Sequence, residues 1–139
     1  MRSAHLIHLL LLGFWGGLVL AETVVEVALR HRADARTAAR LHFWMDVCIE
    51  LPLLLGILAT GGWMLWTVWP PPRILIIKVV LALVAITANL VCMVLVILRW
   101  VRQGDPAAVE RLGRWVRATA VGIPFGVVAL YLGLTRFHW

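Results

Sequence analysis

Acidic residues are scarce in this chain: seven Asp and Glu stand against 13 Lys and Arg among 139 residues. Charged residues of both signs make up only 14%. An ordinary soluble domain carries about 25%, so this composition cannot clothe a water-facing surface. Cysteine is rare too. Cys48 and Cys92 have no CxxC spacing, which argues against a disulfide framework or a cysteine zinc site. Repeats and low-complexity segments are also missing. Apolar residues fill the chain instead, at 63%, with a mean hydropathy of +0.94.

Runs of about 20 apolar residues recur, the length that crosses a bilayer as a helix. The pattern predicts spans over about 5–29, 41–68, 74–98 and 118–134. A short helix is expected over 106–117, opened by Asp105 as N-cap and Pro106 in the first turn, lying at the interface or leading into the last span. Pro52 predicts a kink in the second span, and Pro70 to Pro72 end it. The expected fold class is all-α: a transmembrane four-helix bundle forming a single domain over 1–139. Arg2, an apolar run and Val19-Leu20-Ala21 resemble a signal peptide. His5, His8 and Trp15 interrupt its core, so the first helix is expected to be retained.

A formal charge of +6 would suit nucleic acid. The arginines cluster in loops between apolar runs, however, where membrane topology accounts for them. Arg30, Arg32, Arg36 and Arg40 follow the first span, and Arg99, Arg102, Arg111, Arg114 and Arg117 follow the third. Only Arg2, Arg73 and Arg136 lie on the other side. Ala33 to Thr37 are therefore expected in the cytoplasm, and Pro70 to Pro72 and both termini outside, in the periplasm. The partner is then the lipid bilayer, with no nucleic acid. Trp66, Trp69, Trp100, Trp115 and Trp139 stand near span ends as interface anchors.

The spans are not purely apolar. His8 and Glu26 lie on one stripe of the first helix, five helical turns apart, with Trp15 and Glu22 close to it. Ionisable residues at this depth face the bundle interior or a wet cavity. The helix rise sorts the polar residues into two levels. His8, Lys78 and Met64 fall roughly 13 Å towards the outer face, with Trp15 beneath. On the cytoplasmic side Glu22 matches Glu50 in height, and Glu26 matches Asp46. His42, Asp46 and Glu50 form an i, i+4, i+8 stripe. Asn89 and Cys92 share a face of the third span with Lys78, and Arg99 and Arg117 are close in depth.

Each level has a plainer reading. Lys78 can snorkel to the interface, and His8 can be a hydrogen-bonded packing residue. The acidic level can be a structural ion-pair network. A di-metal carboxylate site on Glu22, Glu26, His42, Asp46 and Glu50 is conceivable. It lacks the Glu-x-x-His pair of ferritin-like proteins.

His8, then Trp15 seven residues on, then Gly16-Gly17, resembles the first helix of the HemJ-type protoporphyrinogen oxidases and their CopD-like relatives. Pro52 followed by Gly61, and Lys78 on the third helix, agree with that family over about residues 5–100. Asn89 stands where HemJ-like chains carry a histidine, and Trp44, Met45 and Asp46 replace basic residues. The resemblance implies a divergent small protein of the bacterial inner membrane. It implies haem b as cofactor and a haem-dependent oxidoreductase activity, with His8 and Lys78 as the important residues. His8 is then the iron ligand, Met64 the opposite one, and Lys78 the partner of a carboxylate. The CopD-like relatives suggest copper instead, on His5, His8, Met64 and His138. A third expectation is a non-catalytic accessory subunit of a larger membrane complex, or a homo-oligomer.

Overall fold

The computed structural model describes residues 2–29 and 35–136. Four helical stretches there are long and apolar enough to cross a membrane: Ser3–Leu29, Thr37–Thr67, Arg73–Val101 and Pro106–Thr135. The first is α1 (Arg2–Leu29). The second joins α2 (Ala35–Met45), a π-helical turn (Asp46–Glu50) and α3 (Leu51–Thr67). The third is α4 (Arg73–Val101). The fourth joins α5 (Pro106–Ala118), a 3₁₀ turn (Thr119–Gly122) and α6 (Ile123–Arg136). No strand occurs among the described residues. The all-α, four-span bundle is thus the observed fold, that of a multi-pass membrane protein.

Large apolar side chains point outward on every span, among them Phe14, Leu55, Trp63, Val80, Val121 and Tyr131. Lipid is the solvent that suits them. In α1 the usual pattern is inverted. Among the described residues its only buried ones are His8, Glu22 and Glu26. The polar stripe is the packing face of this helix, and leucines and valines form its outer surface. α1 packs on α2 and α3, while α4 packs on α2, α5 and α6. The apolar core is small: Leu54, Ile86 and Met93 meet there, with Trp15 against them.

Two boundaries differ from the sequence expectation. The second span starts earlier than residue 41, and Pro52 is passed by a local change of helix type. The Leu51 N–H bonds the Asp46 carbonyl five residues back. Proline has no N–H for the carbonyl four residues before it, and a wide π turn takes up that mismatch. Of the two places expected for the helix 106–117, the structure has the second: it leads into the last span as the first part of the stretch Pro106–Thr135. Asp105 caps it as expected, accepting from the N–H groups of Ala107 and Ala108 at 3.0 and 3.1 Å. Its buried face (Ala108, Val109, Gly113 and Val116) packs on α4. An amphipathic pattern looks the same whether its apolar side meets lipid or a helix. The 3₁₀ turn comes just before Pro124, where Gly122 lies so close to α4 that a Cβ would fall 2.5 Å from that of Ala88. Arg30, Arg32, Ala33, His138 and Trp139 lie outside the described residues, so part of the topology expectation does too.

Candidate functional site

The outer level is a cavity of about 300 Å³. His8, Trp15, Met64 and Lys78 all line it, together with His5. His8 enters from α1 and is fixed by α3. Its Nδ1 lies 2.7 Å from Thr60 Oγ1, and that hydroxyl in turn lies 2.7 Å from the Gly56 carbonyl. A hydroxyl has one proton. The Gly56 carbonyl can only accept it, so Thr60 accepts from His8. That arrangement puts a proton on Nδ1, and in the neutral ring with its proton there Nε2 is the nitrogen with a lone pair.

Glycines make room for both basic side chains. A Cβ on Gly61 would stand 3.1 Å from His8 Cε1, and one on Gly133 would stand 3.0 Å from Lys78 Nζ. Lys78 thus carries its ammonium across to α6. Trp15 connects the two levels. Its ring lines the cavity, and its indole N–H donates to Glu50 Oε1 at 2.9 Å.

The inner level is a cluster of Glu22, Glu26, His42, Asp46, Glu50 and Arg99, all buried. Glu26 is its hub. Arg99 donates to Glu26 Oε1, His42 Nδ1 donates to the same oxygen at 3.0 Å, and Arg117 Nη1 is 4.0 Å from Oε2. The far side of the imidazole faces two more carboxylates. His42 Nε2 is 3.4 Å from Asp46 Oδ1 and 3.8 Å from Glu22 Oε2. Asn89 lies beside Glu50 and Cys92 beside His42. Phe43 stacks on Trp100 with centroids 5.0 Å apart, holding α2 to α4 near Arg99.

Two details correct the depth estimate. Glu26 hydrogen bonds His42 rather than Asp46, and Glu22 has His42 and Asp46 beside it as well as the expected Glu50. The spans Ser3–Leu29 and Thr37–Thr67 have their midpoints at residues 16 and 52. The sequence expectation centred them later, by one residue in the first and three in the second. Measured from the observed midpoints, Glu26 pairs in depth with His42, Glu22 with Asp46, and His8 with Thr60. Thr60 was missed for this reason. Its one sequence signal is a hydroxyl inside the apolar run LLLGILATGGW.

The fold and its two polar levels define the class: a four-span membrane protein with ionisable groups on its packing faces. Among protein-family models, curated proteins and solved structures, nothing matches the chain.

Proposed function

We propose that the chain is a haem-binding redox protein of the bacterial inner membrane, HemJ- and CopD-like, with both termini in the periplasm. One observation carries this reading. His8 lines a largely apolar cavity and is held through Nδ1 by Thr60, which leaves Nε2 as the nitrogen to bind a metal. Metal-bound histidines commonly have their other nitrogen fixed in this way. The cavity, at about 300 Å³, lies at the lower end of the roughly 300–1,000 Å³ of organic-ligand sites. It is partly open, so a macrocycle need not be enclosed whole. Bound haem supplies one-electron redox chemistry. The chain's own residues bind and orient. His8 holds the iron, Met64 offers a thioether from another helix, and Lys78 pairs with a carboxylate of the ligand. Trp15 puts the cavity in hydrogen-bond contact with Glu50.

The test is an optical spectrum of detergent-purified protein from haem-supplemented cells. A Soret band is expected in the wild type. His8→Ala abolishes it, and Lys78→Ala weakens binding while leaving some haem. The absence of a Soret band from the wild type rejects the haem reading. His5, His8 and Met64 on one cavity also favour a Cu(I) site, which metal analysis of the same sample detects. Fixed-ratio co-purification with larger subunits, without any cofactor, replaces both with the accessory-subunit reading.

A further inference from the structure

We propose a second, separate metal site at the inner level: a single divalent transition-metal ion of the zinc class, held by Glu22, His42 and Asp46. The three residues come from α1, α2 and the π turn. One ligand atom of each lies within 4.8 Å of the other two.

The unpartnered oxygens point to a ligand. Asp46 is 1% exposed, and no N–H or hydroxyl donates to either of its carboxylate oxygens, which face the carboxyl groups of Glu22 and Glu50 instead. Glu22 Oε1 has no hydrogen-bond partner either. Buried polar groups are almost always satisfied, and a carboxylate left bare is among the costliest exceptions. Two such groups side by side need something positive between them.

The distances are compatible with a metal. Zinc binds nitrogen and oxygen at about 2.0–2.2 Å in a tetrahedron, so its ligand atoms sit about 3.3–3.6 Å apart. His42 Nε2 is 3.4 Å from Asp46 Oδ1 and 3.8 Å from Glu22 Oε2. Both separations exceed a normal N–H···O bond. Both come close to the edge of such a tetrahedron.

The surroundings of the imidazole are those of a metal ligand. Glu26 Oε1 already accepts from Arg99, so it is an acceptor towards His42 as well. Nδ1 is then a donor, and a metal ion that displaces the proton from Nε2 meets that nitrogen on the side where Asp46 and Glu22 stand. A carboxylate behind a histidine fixes its tautomer and makes it a better ligand. Arg99 and Arg117 fix that carboxylate in turn. One imidazole and two carboxylates leave a fourth position open, as in zinc sites that bind water or substrate.

The experiment uses the full chain in detergent, stripped with a chelator and dialysed against Zn²⁺ alone. The wild type is expected to hold one zinc per chain. X-ray absorption at the zinc edge should show nitrogen and oxygen at about 2.0–2.2 Å and no sulfur. Asp46→Asn and Glu22→Gln each lose stoichiometric zinc. Glu26→Gln, which acts only through His42, keeps the site but weakens it about 10–100-fold. His8→Ala keeps its zinc, because His8 belongs to the other level, so failure of the haem reading leaves this result untouched. Circular dichroism on every variant separates loss of zinc from loss of fold. Wild-type protein that is helical and takes up no zinc overturns the site, and shows the three residues to be an ion-paired imidazolium. Zinc retained by both Asp46→Asn and Glu22→Gln, or sulfur in its coordination shell, overturns it equally.

Discussion

The two polar levels of this bundle are made of opposite materials. The outer one is a void with apolar walls, where a neutral imidazole and a lysine stem rest against glycines. The inner one is a closely packed set of carboxylates around His42 and Arg99. A neutral histidine needs only one partner to be tolerated in lipid surroundings, and Thr60 is enough. A carboxylate needs donors or a cation, so carboxylates are found in company. Space at the outer level is therefore available for a ligand, while the inner level couples every residue to its neighbours. Mutations should separate the two by which property they damage.

The largest effect is expected from Arg99→Leu. It leaves Glu26 without the guanidinium that donates to it, and breaking a buried pair costs about 3–5 kcal/mol. Lys78→Leu, which puts an apolar side chain on an apolar cavity wall, should cost less than Arg99→Leu. Denaturant unfolding of the two variants in the same detergent decides the point. Equal losses would erase the distinction between the levels.

Trp15→Phe comes next. It keeps a ring at the cavity and removes the N–H bound to Glu50, for about 1–3 kcal/mol. The expected signature is reduced stability with ligand binding at the outer level retained. Loss of binding with unchanged stability would show that the indole matters to the cavity and not to the cluster.

The smallest and most discriminating pair is Gly61→Ala and Gly113→Ala. The first places a methyl 3.1 Å from His8 Cε1, the second 3.3 Å from Arg99 Cζ. Gly61→Ala should shift the cofactor spectrum with stability within about 0.5 kcal/mol, since the ring can give towards the void. Gly113→Ala should leave the spectrum alone and cost about 1 kcal/mol, because a packed guanidinium has nowhere to move. The reverse pattern would break the comparison.

Much of this arrangement was legible in the chain. His8 and Glu26 declare a common face because 18 residues make five helical turns. His42, Asp46 and Glu50 declare theirs by fours. The depth of each group within its span was less legible, because it depends on where the spans begin. An early start of the second span moves every partner on it by several residues. Thr60 shows only as a hydroxyl in an apolar run, and Gly133 belongs to no local pattern. Each acquires its role only when another helix brings His8 or Lys78 against it. The π turn was half legible. Pro52 announces an irregularity, but its resolution depends on holding Asp46 and Glu50 inward together.

The inverted first helix also sets a schedule for the protein's synthesis. Glu26 emerges from the ribosome 73 residues before Arg99, its strongest partner. At about 5–20 residues per second, that delay is roughly 4–15 s. Throughout it α1 presents two glutamates and a histidine with nothing behind them but the growing second span. His42 is the first relief to arrive, Arg99 of the third span follows, and Arg117 of the fourth comes last. A chain that stalls between them carries an exposed acidic stripe at membrane depth. Only a completed bundle conceals that stripe from lipid.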